Sequence, residues 1–186
     1  GAQLALHAAA GAAVVLGDMG PTGHMLPPFG DASESELTEA FAAQAQVLAS
    51  AGVQGFLVES LVDVQEACCA VDGIRQVSNL PILVSFAFTA ADSTCRTMMG
   101  HTAGQAVKAL ASWEIQGIGG NCGQLAPVEM AFVTASFNQL TSLPIVIRPN
   151  IGRPHIHGNV NHNSIAARNF AEELMESVQQ GASVVG

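Results

Sequence analysis

Short runs of β-branched and other apolar residues alternate along the chain with longer segments whose apolar positions recur at helical spacing. That alternation predicts βα units around a parallel sheet. Six runs read as strands: "AVVLG" from Ala13, "GFLVE" ending at Glu59, "ILVSFAF" ending at Phe88, "QGIGG" ending at Gly120, "PIVIRP" ending at Pro149 and "SVVG" at the C-terminus. Their nearly continuous apolar character fits strands covered on both faces. Between them, residues 34–51, 63–78, 101–113, 126–140 and 164–180 predict helices, with Asp63 and Ser164 as N-caps of the second and the last. The opening "AQLALHAAA" predicts the tail of another helix.

Two internal echoes sharpen the architecture. "SNLPILVSF" returns as "TSLPIVIRP", with Pro81 and Pro144 63 residues apart, and "GVQGFLVES" returns as "EIQGIGGNC", with Val53 and Ile115 62 residues apart. The period is that of a pair of βα units, and three such pairs fit in 186 residues, whereas a (β/α)8 barrel needs four. The expected fold is therefore α/β: one partial TIM-type barrel domain over residues 1–186, with about six of the eight βα units. The simpler alternative is a complete six-stranded doubly wound sheet, although "GDMGPTG" after the first strand lacks the glycine pattern of a dinucleotide-binding loop.

Composition narrows the function classes. With 49% hydrophobic residues the chain can bury one sizeable core. Six Lys+Arg against fifteen Asp+Glu give a net charge of −9, with no basic stripe to meet phosphates, which excludes nucleic acid as a partner. The four cysteines, Cys68, Cys69, Cys95 and Cys122, fall in no regular spacing and read as reduced thiols, as expected in the cytoplasm. The apolar N-terminal stretch lacks a preceding Lys or Arg, is broken by His7 and Gly11, and is too short to span a membrane.

In parallel α/β folds the functional loops follow the C-terminal ends of the strands. Here those positions are polar: Asp18, Thr22 and His24; Glu59, Ser60 and Asp63; Thr89, Asp92, Cys95 and Arg96; Asn121 and Cys122; Arg148 and Asn150, then His155, His157 and His162. Glu59 closes an apolar strand, where a carboxylate must find a partner: a loop's amides, or a substrate ammonium. Cys122 lies among glycines in "IGGNCG", which let a large ion or substrate approach the backbone; a buried small hydrophobe and a reactive thiol are both open readings. Cys68 and Cys69 are neighbours within a helix and point about 100° apart, too divergent to share one ion. "HIH" could chelate a metal for a hydrolase, and a solvated loop is the simpler account.

Five motifs in order, "GDMGPTG", "QAQVLASAGVQGFLVES" with "DVQEA", "IGGNCG", "RPNIGRP" and "GASVVG", resemble the pattern of homocysteine S-methyltransferase domains over nearly the whole chain. The resemblance implies a (β/α)8 barrel in which zinc, held by three cysteine thiolates, takes up the sulfur of homocysteine and lowers its pKa. It implies that Cys122 is the first zinc cysteine, that Glu59 helps hold homocysteine, and that Asn121 and Asn150 shape the substrate site. The other two zinc cysteines of the pattern are expected beyond Gly186, and the pattern's N-terminal quarter has no counterpart here. Two accounts follow: part of a longer enzyme, its methyl donor a methyl-cobalamin or other corrinoid on a separate domain or protein, or a zinc-free binding or scaffold module. An open three-quarter barrel is also expected to self-associate or to hold a partner.

Overall fold

The computed structural model describes residues 1–91, 94–151, 154–157, 160–163 and 165–186. The elements follow as α1 (Ala2–Ala9), β1 (Leu16–Met19), α2 (Glu34–Ser50), β2 (Gly55–Leu61), α3 (Val64–Val77) and β3 (Ile82–Phe86). Next come β4 (Phe88–Ala91), β5 (Thr94–Thr97), α4 (Ala103–Leu110), β6 (Gly117–Asn121), α5 (Met130–Leu140) and β7 (Ile145–Arg148). The chain ends with β8 (Pro154–His157), β9 (Val160–Asn163), α6 (Ala167–Gln179) and β10 (Ala182–Val185).

Six strands form one sheet in the order β1-β2-β3-β6-β7-β10, every neighbour parallel. Each strand lies beside its predecessor in the chain, with no reversal, so the doubly wound alternative falls. Right-handed crossovers that always step the same way lay their helices on one face, as in a barrel wall. The expected six barrel-type units are present.

Local sequence explains where the helices start. Ser33 Oγ accepts from Glu36 N while Glu36 Oε2 accepts from Ser33 N, a capping box at α2; Thr102 and Gln105 repeat it at α4. Asp63 caps α3 as expected, its Oδ1 accepting from Gln65 N at 2.9 Å. The expected cap of α6 does not hold: Ala166 stands at that N-cap, without a side-chain bond, and Ser164 lies outside the described residues.

The sequence echoes are one register device used twice. Gln54 Oε1 accepts from Val15 N at 3.0 Å, and Gln116 Oε1 accepts from Ile82 N at 2.8 Å, each side chain extending the ladder to the strand before it. Pro81 O accepts from Phe56 N and Pro144 O from Ile118 N, so each proline, which has no N–H to offer, still supplies the carbonyl that starts the next pairing.

Two hairpins depart from the sequence reading. The third predicted strand runs on to Phe88, yet β3 stops at Phe86, and Phe88 opens a hairpin in which β4 pairs antiparallel with β5. The apolar run continues because the hairpin's base is in the core: Phe88 is fully buried, its ring 5.9 Å from Phe137 and 6.4 Å from Phe86. A second hairpin, β8 with β9, sets His155 in register with His162, replacing the expected loop; the side chains of His155, His157 and His162 lie outside the described residues. Strand β1 begins three residues later and ends two residues later than the predicted apolar run, at Met19, because its Asp18 points away from the core.

The core fills the space between sheet and helices: Phe56, Val58, Ile82, Val84, Phe86, Ile118 and Ile147 from the strands meet Phe41, Ile74, Met130 and Phe137 from the helices. Helices α2 and α3 pack closely enough that a Cβ on Gly73 would lie 2.4 Å from Thr38 O. No helix among the described residues is long and apolar enough to cross a membrane. Gly73→Ala tests the packing directly. Alanine favours an isolated helix by about 1 kcal/mol, but here the clash dominates, and urea unfolding should show a net loss of about 1–3 kcal/mol.

Candidate active site

Strand alternation decides which side chains leave the core. A Cβ on Gly17 would touch Leu48 of α2, and one on Gly120 would touch Met130 and Val133 of α5, so these positions face the helices. Parallel register carries that face across the sheet: Gly17 opposite Phe56, Phe56 opposite Ile82, Val84 opposite Ile118, and Ile118 opposite Ile145. Residues one step out of phase therefore lie on the inner face: Asp18, Glu59, Ser85, Asn121 and Arg148, near the C-terminal ends of five successive strands. Below them the same face carries Leu57, Leu83 and Val146, so the polar groups form a rim above an apolar floor.

Asn121 ties the rim together. It is 2% exposed; its Oδ1 accepts from Ser60 N at 2.8 Å and from Ser85 Oγ at 2.6 Å, and its Nδ2 donates to Ser60 Oγ at 2.7 Å. One carboxamide thus links β2, β3 and β6. Ser60 sits at φ 63° and Cys122 at φ 48°, left-handed conformations that cost a non-glycine residue on the order of 1–2 kcal/mol. Both residues flank the rim, and the bonds to Asn121 hold Ser60 there. Gly123 at φ 70° follows, and a Cβ on it would lie 2.0 Å from Phe88 O, so the loop after Cys122 admits only glycine at that point.

Glu59 is paired across the rim with Arg148, whose Nη1 donates to Oε2, and no loop amide among the described residues bonds to it. Burial pushes the Glu59 carboxyl above its ordinary range, the nearby Asp18 carboxylate pushes it the same way, and Arg148 opposes both without overcoming them. Cys122 N donates to Arg148 O at 3.1 Å, and Asn150 Nδ2 donates to Gly123 O at 3.1 Å. Contacts therefore run in a closed circuit: Glu59 to Arg148, Arg148 to Cys122, Cys122 through its neighbour Asn121 to Ser60, and Ser60 back to Glu59. The structure brings Glu59, Asn121, Cys122 and Asn150 into one place.

The remaining cysteines stand apart. Cys69 packs with Leu26 and Leu37, and Cys68 Sγ donates to Ala109 O at 3.5 Å. Burial raises the thiols of Cys68, Cys69 and Cys95, which keeps them protonated and unreactive. Among the described residues no group of three His, Cys, Asp or Glu gathers to hold a metal ion; Cys122 offers one sulfur, which is not by itself a zinc site.

Two contributors escape a reading of the sequence by strand ends. Glu66, 5% exposed on α3, accepts from Thr22 N at 2.8 Å and Thr22 Oγ1 at 2.7 Å, fastening the "GPTG" loop beside the rim. Its signal was a carboxylate on the apolar face of α3, in phase with Ala70 and Ile74. Ser85, within an apolar strand, is the other; Arg148 is among the strand-end residues the sequence marks, but its pairing with Glu59 is not visible there.

The fold and rim can be set beside known proteins. Methionine synthases of Mycobacterium tuberculosis and Mycobacterium leprae are 27% and 26% identical over 178 residues, a stretch covering 92% of this chain. The chain spans only 14% of the length of either. The apo crystal structure of the homocysteine methyltransferase MmuM from Escherichia coli superposes with a TM-score of 0.71 at 22% identity, covering all of this chain and 60% of that one. That likeness establishes the fold. The model for homocysteine S-methyltransferases matches residues 1–186, and with that match running the length of the sequence the chain belongs to the homocysteine S-methyltransferase family.

Proposed function

We propose that the protein containing this chain transfers a methyl group to the sulfur of homocysteine, giving methionine, and that the rim of the sheet is where homocysteine binds. The observation that supports it most is the closed circuit joining Glu59, Arg148, Cys122 and Asn121 at the strand ends of a chain that matches the family throughout. Glu59 receives the substrate's ammonium group. Its carboxylate keeps one oxygen, Oε1, without a partner among the described residues. Asn121 and Asn150 hold the two loops that frame the sulfur, one through Ser60 and the other through Gly123 O.

Cys122 is proposed as one zinc ligand, two further thiolates coming from residues that follow Gly186. A zinc ion so held would make the substrate sulfur a thiolate at neutral pH. The left-handed backbone at Cys122 and the glycine after it support this reading, since they turn the residue out of the strand and keep neighbouring bulk away. The donor is proposed to be a methyl-corrinoid on a separate domain or protein, in keeping with relatives that are methionine synthases several times longer than this chain.

Two outcomes follow. In the full-length protein, Cys122→Ala should abolish zinc binding and turnover, whereas Cys68→Ala should cost only a modest packing loss. Zinc per chain by atomic absorption checks it, and a Cys122→Ala protein with normal zinc content would sink the assignment. Glu59→Gln should raise the apparent KM for homocysteine far more than it changes zinc content. Because only ionised Glu59 attracts an ammonium, affinity in the unaltered protein should fall as pH drops through the raised Glu59 value, and the Gln variant should lack that acidic limb. Calorimetric titration across pH reads both.

A further inference from the structure

The charged part of the rim holds a Glu59–Arg148 pair with a second carboxylate, Asp18, near Glu59, an arrangement that folding stability does not require. Glu59 and Arg148 are 18% and 43% exposed in their side chains, the setting in which an ion pair contributes little. Asp18 then adds a second negative charge close enough to raise Glu59, and it has no cation partner among the described residues. Arg148 spends one N–H on Glu59, while a guanidinium has five; no other hydrogen bond from its side chain is made among the described residues. The rim therefore presents unused acceptors on the Asp18 and Glu59 side and unused donors on the Arg148 side.

We infer that this trio reads the whole zwitterion of the amino-acid substrate: Arg148 takes its α-carboxylate, and Asp18 joins Glu59 in taking its α-ammonium. The inference rests on the homocysteine reading and adds Arg148 and Asp18 to it as specificity-determining residues. A fixed Glu–Arg pair is a dipole, and an α-amino acid laid antiparallel to it meets opposite charge at each end. Arg148 remains bonded to Glu59 throughout, so the guanidinium is oriented before substrate arrives and loses little freedom on binding. Asp18 supplies the negative charge that Arg148 has partly cancelled at Glu59. A thiol lacking either charged group would leave one end of the half-buried dipole unpaired, which is how polar sites reject analogues.

The test uses the full-length, zinc-loaded protein and three thiols: homocysteine, 3-aminopropane-1-thiol, which lacks the carboxylate, and 4-sulfanylbutanoate, which lacks the ammonium. Affinities are measured by calorimetry at mildly alkaline pH. The unaltered protein should prefer homocysteine over 3-aminopropane-1-thiol by roughly tenfold to a hundredfold, the worth of a charge-assisted contact. Arg148→Met should erase that preference while holding 3-aminopropane-1-thiol within a few-fold, and Arg148→Lys should recover part of it. Asp18→Asn should weaken homocysteine and 3-aminopropane-1-thiol together and spare 4-sulfanylbutanoate. An Arg148→Met protein, folded by circular dichroism, that keeps the carboxylate preference overturns the inference and leaves the homocysteine reading standing. Failure of the unaltered protein to bind any of the three overturns both.

Discussion

One buried carboxamide sets the geometry on which the rim depends. Asn121 ends β6, and from there its side chain reaches the Ser60 backbone on β2 and the Ser85 hydroxyl on β3, while its own carbonyl carbon leads into Cys122. A buried amide left unbonded costs about 1–3 kcal/mol, so these strand ends are held in a fixed relation whenever Asn121 is satisfied. Two left-handed residues, Ser60 and Cys122, lie within reach of that constraint. The backbone strain is thus concentrated where substrate and metal groups are proposed to sit, and the parallel sheet beneath supplies the rigidity that sustains it.

The sheet contributes by its order. Because each strand neighbours its predecessor, the C-terminal ends of β1, β2, β3, β6 and β7 follow one another around a single rim. Residues far apart in sequence, such as Glu59 and Arg148, become partners through strand phase: each lies one step out of register with the core-facing residues. A substitution that shifted any one strand by a residue would turn its rim group into the core and bring an apolar side chain out. The glutamines at positions 54 and 116, each locking its strand to the one before, guard against that slip at the opposite end of the sheet.

Much of this was legible in the sequence. Alternation and the 62- to 63-residue echoes predict six βα units, and the place of "IGGNCG" at a strand end marks Asn121 and Cys122. Hairpin β4–β5 was not legible, because Phe88 belongs to the core and prolongs an apolar run whose strand has already ended. Strands β1 and β2 run further than the apolar runs for the converse reason: Asp18 and Ser60 look like loop residues until the inner face is recognised as polar. Pairings across the rim, Glu59 with Arg148 and Thr22 with Glu66, depend on strand phase and loop path together, and no local pattern encodes them.

Asn121→Ala in the full-length protein is the most direct measurement of the central claim, with zinc content and homocysteine affinity determined on the same folded sample. If the carboxamide joins the Glu59–Ser60 end to the Cys122 end, both quantities should fall together. A folded Asn121→Ala protein with full zinc occupancy and unchanged homocysteine affinity would show that the two halves of the rim are held independently, and the account built on Asn121 would fail.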